Sequence, residues 1–493
     1  MPFVARSVLS VSALVLVVVI LSTSMTATAT GTTKAATTKG ATTAFVSSRM
    51  MPVSTSLTSL TTMKPSTQFR EKRAASVFFP SLRATVDDST ETASTDGTIQ
   101  LHSRLSQIQP SKTVEIFSLV KQMQAEGTDV TSLCVGEPDF CPPQPVLDAL
   151  VKAVQSGDTK YTAVTGTLEL RKAILHDMVS RRGVPADAYS ETDIVVGNGA
   201  KQSVYQAILA TCGEGDEVLV PVPYWPSYPE MVKLAGATPV LVDTNSQDGY
   251  LLTPTVLRKT LEDHPNAKLL IFCNPSNPTG AVHDQQHLQS LVNVLQDFPH
   301  LTVLADEIYE RLVYDGSAHC PAMATLMPQR TITINGFSKA YAMTGLRLGY
   351  AVAPSHVAKA MATIQGQLTS CASSISQAAG VAALQDIDEA VLIQLYDEMK
   401  GKRDYVLSRL EQMPHVKMDV PPQGAFYVLP DVSYYSGEDD TQLCLDILQQ
   451  AELALVPGSS FGKPGTVRIS YATSLEELDV AMTKLEKFLE SKR

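Results

Sequence analysis

The sequence predicts an α/β fold built on a mostly parallel sheet, and three observations carry that prediction. Short β-branched runs alternate with longer amphipathic stretches, no internal repeat interrupts them, and the positions just after the runs hold chemically distinctive residues. In chain order the runs are DIVV (193–196), EVLVPV (217–222), TPVLV (238–242), KLLIF (268–272), LTVLA (301–305), TITI (331–334) and LGYAVA (348–353). Ligands of such sheets sit beyond the carboxyl ends of the strands, so each run is best read together with the residues just C-terminal to it.

The first run leads into GNGAKQS, glycines opening a helix at Ala200 and Lys201. Its free amides and helix N-terminus suit a phosphate, although glycines also end strands for steric reasons alone. The second leads into PYWPSY with Trp225, the single tryptophan, which fits core packing as well as a stacking plate. After the fourth run, CNPSNPTG has two Asn-Pro steps that force an extended turn and aim Asn277. After the fifth, DEIYE puts Asp306 at a strand end, where it could cap a turn or face a ligand, with Tyr309 beyond it. After the sixth comes NGFSK, and the stretch SKAYAMTGLRLGY sets Lys339 and Arg347 in small, apolar surroundings expected to be packed. Charge survives burial only when paired or used. One ligand accounts for all of these groups. A phosphate needs amides and an arginine, a flat ring needs a stacking partner, a ring nitrogen needs a carboxylate, a phenolic oxygen needs donors and an aldehyde needs an amine. Pyridoxal 5′-phosphate carries all five.

From about Leu101 to the C-terminus the chain resembles the fold-type I, class I aminotransferases, most closely the plant and bacterial aspartate/prephenate type. The resemblance rests on PSKTVEI, GEPDF, YTAVTGTLELR, NGAKQS, PYWPSYPEM, NPSNPTG, DEIYE, GFSKAYAMTGLRLGY, QGAFYV, ALVPG and VRISYA, in that order. It implies that Lys339 anchors the cofactor and then acts as general base and acid, with Arg347, the Ala200 and Lys201 backbone and Tyr161 on the phosphate. Tyr161 would reach across from a partner subunit, giving a homodimer with shared active sites. Asp306 would hold the pyridine nitrogen, Tyr309 and Asn277 the phenolic oxygen, and Trp225 the ring face, with Trp225 and Asn277 also at the substrate. Arg468 and Gly136 would receive the substrate α-carboxylate, and Thr113 with Lys201 the distal one, with a solvated helix-start lysine as the alternative reading of Lys201. The implied activity is ping-pong amino transfer between glutamate or aspartate and oxaloacetate, 2-oxoglutarate or prephenate. An alanine, aromatic or kynurenine-type aminotransferase and a non-catalytic cofactor-binding regulator are the alternatives. Leu346 stands where many relatives carry Trp, and SCASSISQ (370–377) offers no second-subunit arginine, which favours the Thr113/Lys201 route.

The resemblance also implies a large cofactor domain over residues 150–370, with residues 101–149 and 371–493 forming a smaller one and 71–100 a linker. Residues 1–70 differ in kind: no Asp or Glu, six Lys or Arg, and 26 Ser or Thr. The apolar run 7–21 and the A-x-A pattern at Ala27 and Ala29 read as a signal peptide, and the stretch behind them has transit-peptide composition. Together, with Phe45, they resemble the bipartite presequences of algae with secondary plastids, so plastid delivery is expected, with simple secretion as the alternative and no membrane anchor in the mature form. Without this segment the formal charge of −11 becomes −17, a poor match to nucleic acid. The seven cysteines show neither C-x-x-C pairs nor clusters, so they read as reduced, mostly packed thiols and not as metal ligands.

Overall fold

The computed structural model describes residue 99 and residues 101–492 apart from 315, 317, 318 and 438. The expected presequence and, save Ile99, the linker lie outside the described residues.

After the two-residue strand β1 (Thr131–Ser132) come seven strands: β2 (Ile194–Gly197), β3 (Glu217–Val222), β4 (Thr238–Asp243), β5 (Ala267–Cys273), β6 (Thr302–Asp306), β7 (Thr331–Gly336) and β8 (Gly349–Val352). They form one sheet in the order β2-β8-β7-β6-β5-β3-β4. Each expected run is present, with ends shifted by one or two residues at most. Every pairing is parallel except those of β8, which runs antiparallel to both β2 and β7.

The near-continuous apolar character of these strands has a simple cause: both faces are covered. Successive side chains of a strand point to opposite faces. Leu269 and Ile271 of β5 accordingly pack with Val204, Ile208 and Met361 from the helices Ala200–Thr211 and Ser355–Leu368. Leu270 and Phe272 pack on the other side with Leu257, Leu288 and Leu291 from the helices Pro254–Asp263 and Gln285–Leu295.

The remaining strands are short. β1 pairs in parallel with β10 (Leu453–Ala454), which ties the N-terminal residues to the C-terminal ones. A three-stranded antiparallel sheet joins β11 (Val456–Pro457), β12 (Val467–Ser470) and β9 (Tyr427–Val428). Around it lie the helices Glu389–Leu410, Asp440–Ala451 and Leu475–Ser491.

Candidate active site

The parallel strands bring their carboxyl ends to one edge, and the reversed β8 presents its beginning there. Asp306 is the last residue of β6. Lys339 follows β7, Asn277 follows β5 and Trp225 follows β3, each within four residues. Arg347 immediately precedes Leu348 and β8. The helix Ala200–Thr211 opens on Gly199 at φ 91°, without a side-chain cap, so its first amides keep no protein acceptor. Glycine is needed there and at Gly349. A Cβ on Gly199 would meet the Arg347 Nη2 at 2.5 Å, and one on Gly349 would collide with the Ala200 amide nitrogen.

Asp306 is buried, and its Oδ2 accepts a 2.6 Å hydrogen bond from the Tyr228 hydroxyl while Oδ1 accepts from the Ile308 amide at 3.3 Å. Burial raises its pKa to about 6, against the pull of the two donors. The Asp therefore both steadies a turn and turns a carboxylate toward the site. Lys339 is half-buried, and its Nζ donates to the Gly136 carbonyl. Burial lowers its pKa to about 8; Arg468 and Arg347 push the same way, and Glu137 and Asp306 oppose them.

Arg468 projects from β12 into the interior. Its Nη2 donates to the Cys134 carbonyl at 2.7 Å and its Nη1 to the Asn277 Oδ1 at 3.3 Å. Its guanidinium lies over the rings of Tyr427 and Phe461, at 4.5 and 5.0 Å. No carboxylate pairs with it among the described residues, and its buried Nε has no partner. A buried cation left in this state is costly unless an anion joins it. Lys201 stands 5.1 Å over the Trp225 ring, its pKa lowered by partial burial and then by Arg347. Trp225 is half-buried and meets Tyr228 edge-on at 5.2 Å.

One expectation changes. Arg347 is not packed but exposed, in a turn at φ 52°, with one hydrogen bond to the Thr344 carbonyl. Its side chain leans over Gly199 at the rim, because a residue in this conformation leaves the strand line before β8 begins. Tyr161, 89% exposed, and Thr113, in the first turn of the helix Lys112–Ala125, make no side-chain hydrogen bond to the other site residues within this chain. Two further residues belong to the site without having stood out in the sequence. Tyr228 holds Asp306, and Tyr427 shares a 2.9 Å hydroxyl contact with Tyr309. Their only local signals were the tyrosines of PYWPSY and QGAFYV.

The site thus sets cations (Lys339, Arg347, Arg468, Lys201) around one buried carboxylate, an arrangement for a substrate and cofactor that are both anionic. Comparison with known proteins agrees. The family model for aminotransferase class I and II matches residues 128–485. The chain is 45% identical over 408 residues to an aspartate aminotransferase of Pinus pinaster, covering 79% of this chain and 81% of that one. It is 42% identical over 404 residues to the bifunctional aspartate aminotransferase and glutamate/aspartate-prephenate aminotransferase of Petunia hybrida, covering 79% and 83%. Among solved structures, the aspartate aminotransferase of Rhizobium meliloti superposes with a TM-score of 0.75 at 38% identity, over 80% of this chain and 99% of that one. The Thermus thermophilus aspartate aminotransferase with maleate gives 0.75 at 35% identity, over 79% and 100%. The architecture is that of fold type I, and the chain belongs to the class I and II aminotransferases, pyridoxal phosphate-dependent enzymes acting on amino acids and keto acids.

Proposed function

We propose that this enzyme moves the amino group of glutamate or aspartate to oxaloacetate, 2-oxoglutarate or prephenate, the last giving arogenate. The observation that carries this reading is the buried Arg468, with no carboxylate partner among the described residues and its Nε unsatisfied; Lys201, over the Trp225 ring, offers a second cation for a substrate with two carboxylates. The residues fit the cofactor as well. The open amides at Ala200 and Lys201, the Arg347 guanidinium and the close approach at Gly199 form a cradle for a dianion. When bound, pyridoxal phosphate supplies an aldehyde that captures the amino group and a ring that withdraws electrons from the α-carbon.

Each residue then has a defined task. Asp306, ionised above pH 6, holds the ring nitrogen's proton, with Tyr228 fixing the carboxylate. Lys339, with a pKa near 8, has enough free base at neutral pH to take the α-proton on Nζ and return it. Arg468 and Asn277 orient the α-carboxylate as a fork against the Gly136 backbone, and Trp225 lines the ring face. Tyr309 donates to the phenolic oxygen. Thr113 and Lys201 take the distal carboxylate. Tyr161, too exposed to serve its own chain, serves the neighbouring site in a C2 homodimer. Residues 150–370 act as the large domain, and 101–149 with 371–493 as the small one that brings Arg468 to the substrate. The acid-free, hydroxyl-rich segment 1–70 directs the enzyme to the plastid, and a fusion of residues 1–45 to a fluorescent protein should mark plastids and not the medium.

Steady-state rates with aspartate and glutamate against oxaloacetate, prephenate, pyruvate and phenylpyruvate test the substrate assignment. Dicarboxylic donors and acceptors should lead, with parallel lines in double-reciprocal plots. Preference for pyruvate or phenylpyruvate would overturn it.

A further inference from the structure

We propose that Tyr427 is a positioning residue of this site, whose hydroxyl holds that of Tyr309 as a donor toward the cofactor's phenolic oxygen. The proposal rests on the reading of Tyr309 given above and adds a residue to it. Tyr427 is 1% exposed, and its hydroxyl lies 2.9 Å from that of Tyr309, which is 4% exposed. Among the described residues this contact is the only hydrogen bond of either hydroxyl. Two hydroxyls sharing one bond leave one O–H without an acceptor, and a buried donor is costly to leave unpaired. If Tyr427 donates, the spare proton is the one on Tyr309, free to be given to a ligand. An anionic oxygen beyond Tyr309 would select this direction, and the chain Tyr427 to Tyr309 to ligand would strengthen itself cooperatively.

The strand geometry explains why Tyr427 is held so firmly. β9 pairs with β12 so that Tyr427 faces Ser470, which puts Tyr427 and Arg468 diagonally on the same face. The guanidinium of Arg468 lies 4.5 Å over the Tyr427 ring, while the Tyr309 ring meets it edge-on at 5.8 Å. On the remaining side, a Cβ at Gly136 would collide with the Tyr427 hydroxyl. Glycine at 136 is therefore required by this phenol as well as by any substrate. The charged and titratable groups facing the pair are Arg468, Lys339, Glu137 and Cys273.

The test is the pH at which the visible band of the pyridoxal phosphate-loaded enzyme converts, measured without substrate. Donors to the phenolic oxygen stabilise its anion, so weakening them raises that midpoint. Tyr309→Phe should raise it most, and Tyr427→Phe by about half a unit. The double variant should match Tyr309→Phe alone, because Tyr427 acts through Tyr309. Gly136→Ala, which displaces the phenol without removing it, should also raise the midpoint and covers the case in which Tyr427→Phe folds poorly. If Tyr309→Phe moves the midpoint while Tyr427→Phe and Gly136→Ala do not, or if the two tyrosine effects add in full, the role of Tyr427 is refuted and that of Tyr309 stands. If Tyr309→Phe leaves the midpoint in place, the reading of Tyr309 fails and the proposal falls with it.

Discussion

The lowered pKa of Lys339 makes a quantitative prediction about cofactor capture. Burial takes the amine from 10.5 to about 8. At pH 7.5 about a quarter of it is then free base, against roughly a thousandth for an unperturbed lysine, a gain of over two-hundredfold in nucleophile. Apo-enzyme mixed with pyridoxal phosphate by stopped flow from pH 6 to 10 should take up the cofactor at a rate that rises and levels off with a midpoint near 8. Dividing by the rate of N-acetyl-lysine at each pH removes the cofactor's own ionisations. Glu137, which opposes the shift most among the charged neighbours, gives the perturbation: Glu137→Gln should move the midpoint down by on the order of half a unit to one unit. Stability reports the same shift with a definite sign. The folded state binds fewer protons than the unfolded state between pH 8 and 10.5, so the apo-enzyme should gain stability as pH rises across that window. The cost carried below pH 8 is about 3 kcal/mol at most. Uptake that keeps rising through pH 9.5 without a plateau, or a midpoint that Glu137→Gln moves upward, would contradict this account of the lysine.

Tyr228→Phe removes a donor that lowers the pKa of Asp306, so in the cofactor-free enzyme this carboxyl, followed by difference infrared spectroscopy against Asp306→Asn, should titrate above about pH 6; an unmoved midpoint would show that the contact does not tune the carboxylate. Asp306→Asn should cost on the order of a thousandfold in kcat, the scale of a broken buried charge pair, and should weaken cofactor retention measured by dialysis. Lys201→Ala with Thr113→Val should lower kcat/KM for aspartate and prephenate at least tenfold while sparing alanine, as checked in coupled assays.

What the sequence made legible was local. Each strand of the central sheet is a short apolar run because both its faces are covered, and Trp225, Asn277, Asp306 and Lys339 stand within a few residues of the strand ends that present them. The contacts that complete the site are of another kind. Tyr228 reaches Asp306 across 78 residues, Tyr309 reaches Tyr427 across 118, and Arg468 reaches the Cys134 carbonyl across 334. No spacing rule encodes these separations; they exist only once β12, β9 and β6 are folded against one another. Arg347 shows the opposite failure, since its apolar neighbours predicted packing while a single left-handed turn carries its side chain to the rim. Tyr161 marks a third limit. Its side chain is 89% exposed in a chain whose other implied cofactor-binding side chains, apart from Lys201 and Arg347, are buried or half-buried. A phosphate held within this chain by the Arg347 guanidinium and the helix amides alone can take a further donor, and a phenol from a second copy of the chain has that chemistry. If the enzyme is the C2 homodimer proposed above, dissociating it should loosen cofactor before it loosens the fold, and Tyr161→Phe should raise the dissociation constant for pyridoxal phosphate while leaving the thermal midpoint of the apo-enzyme unchanged.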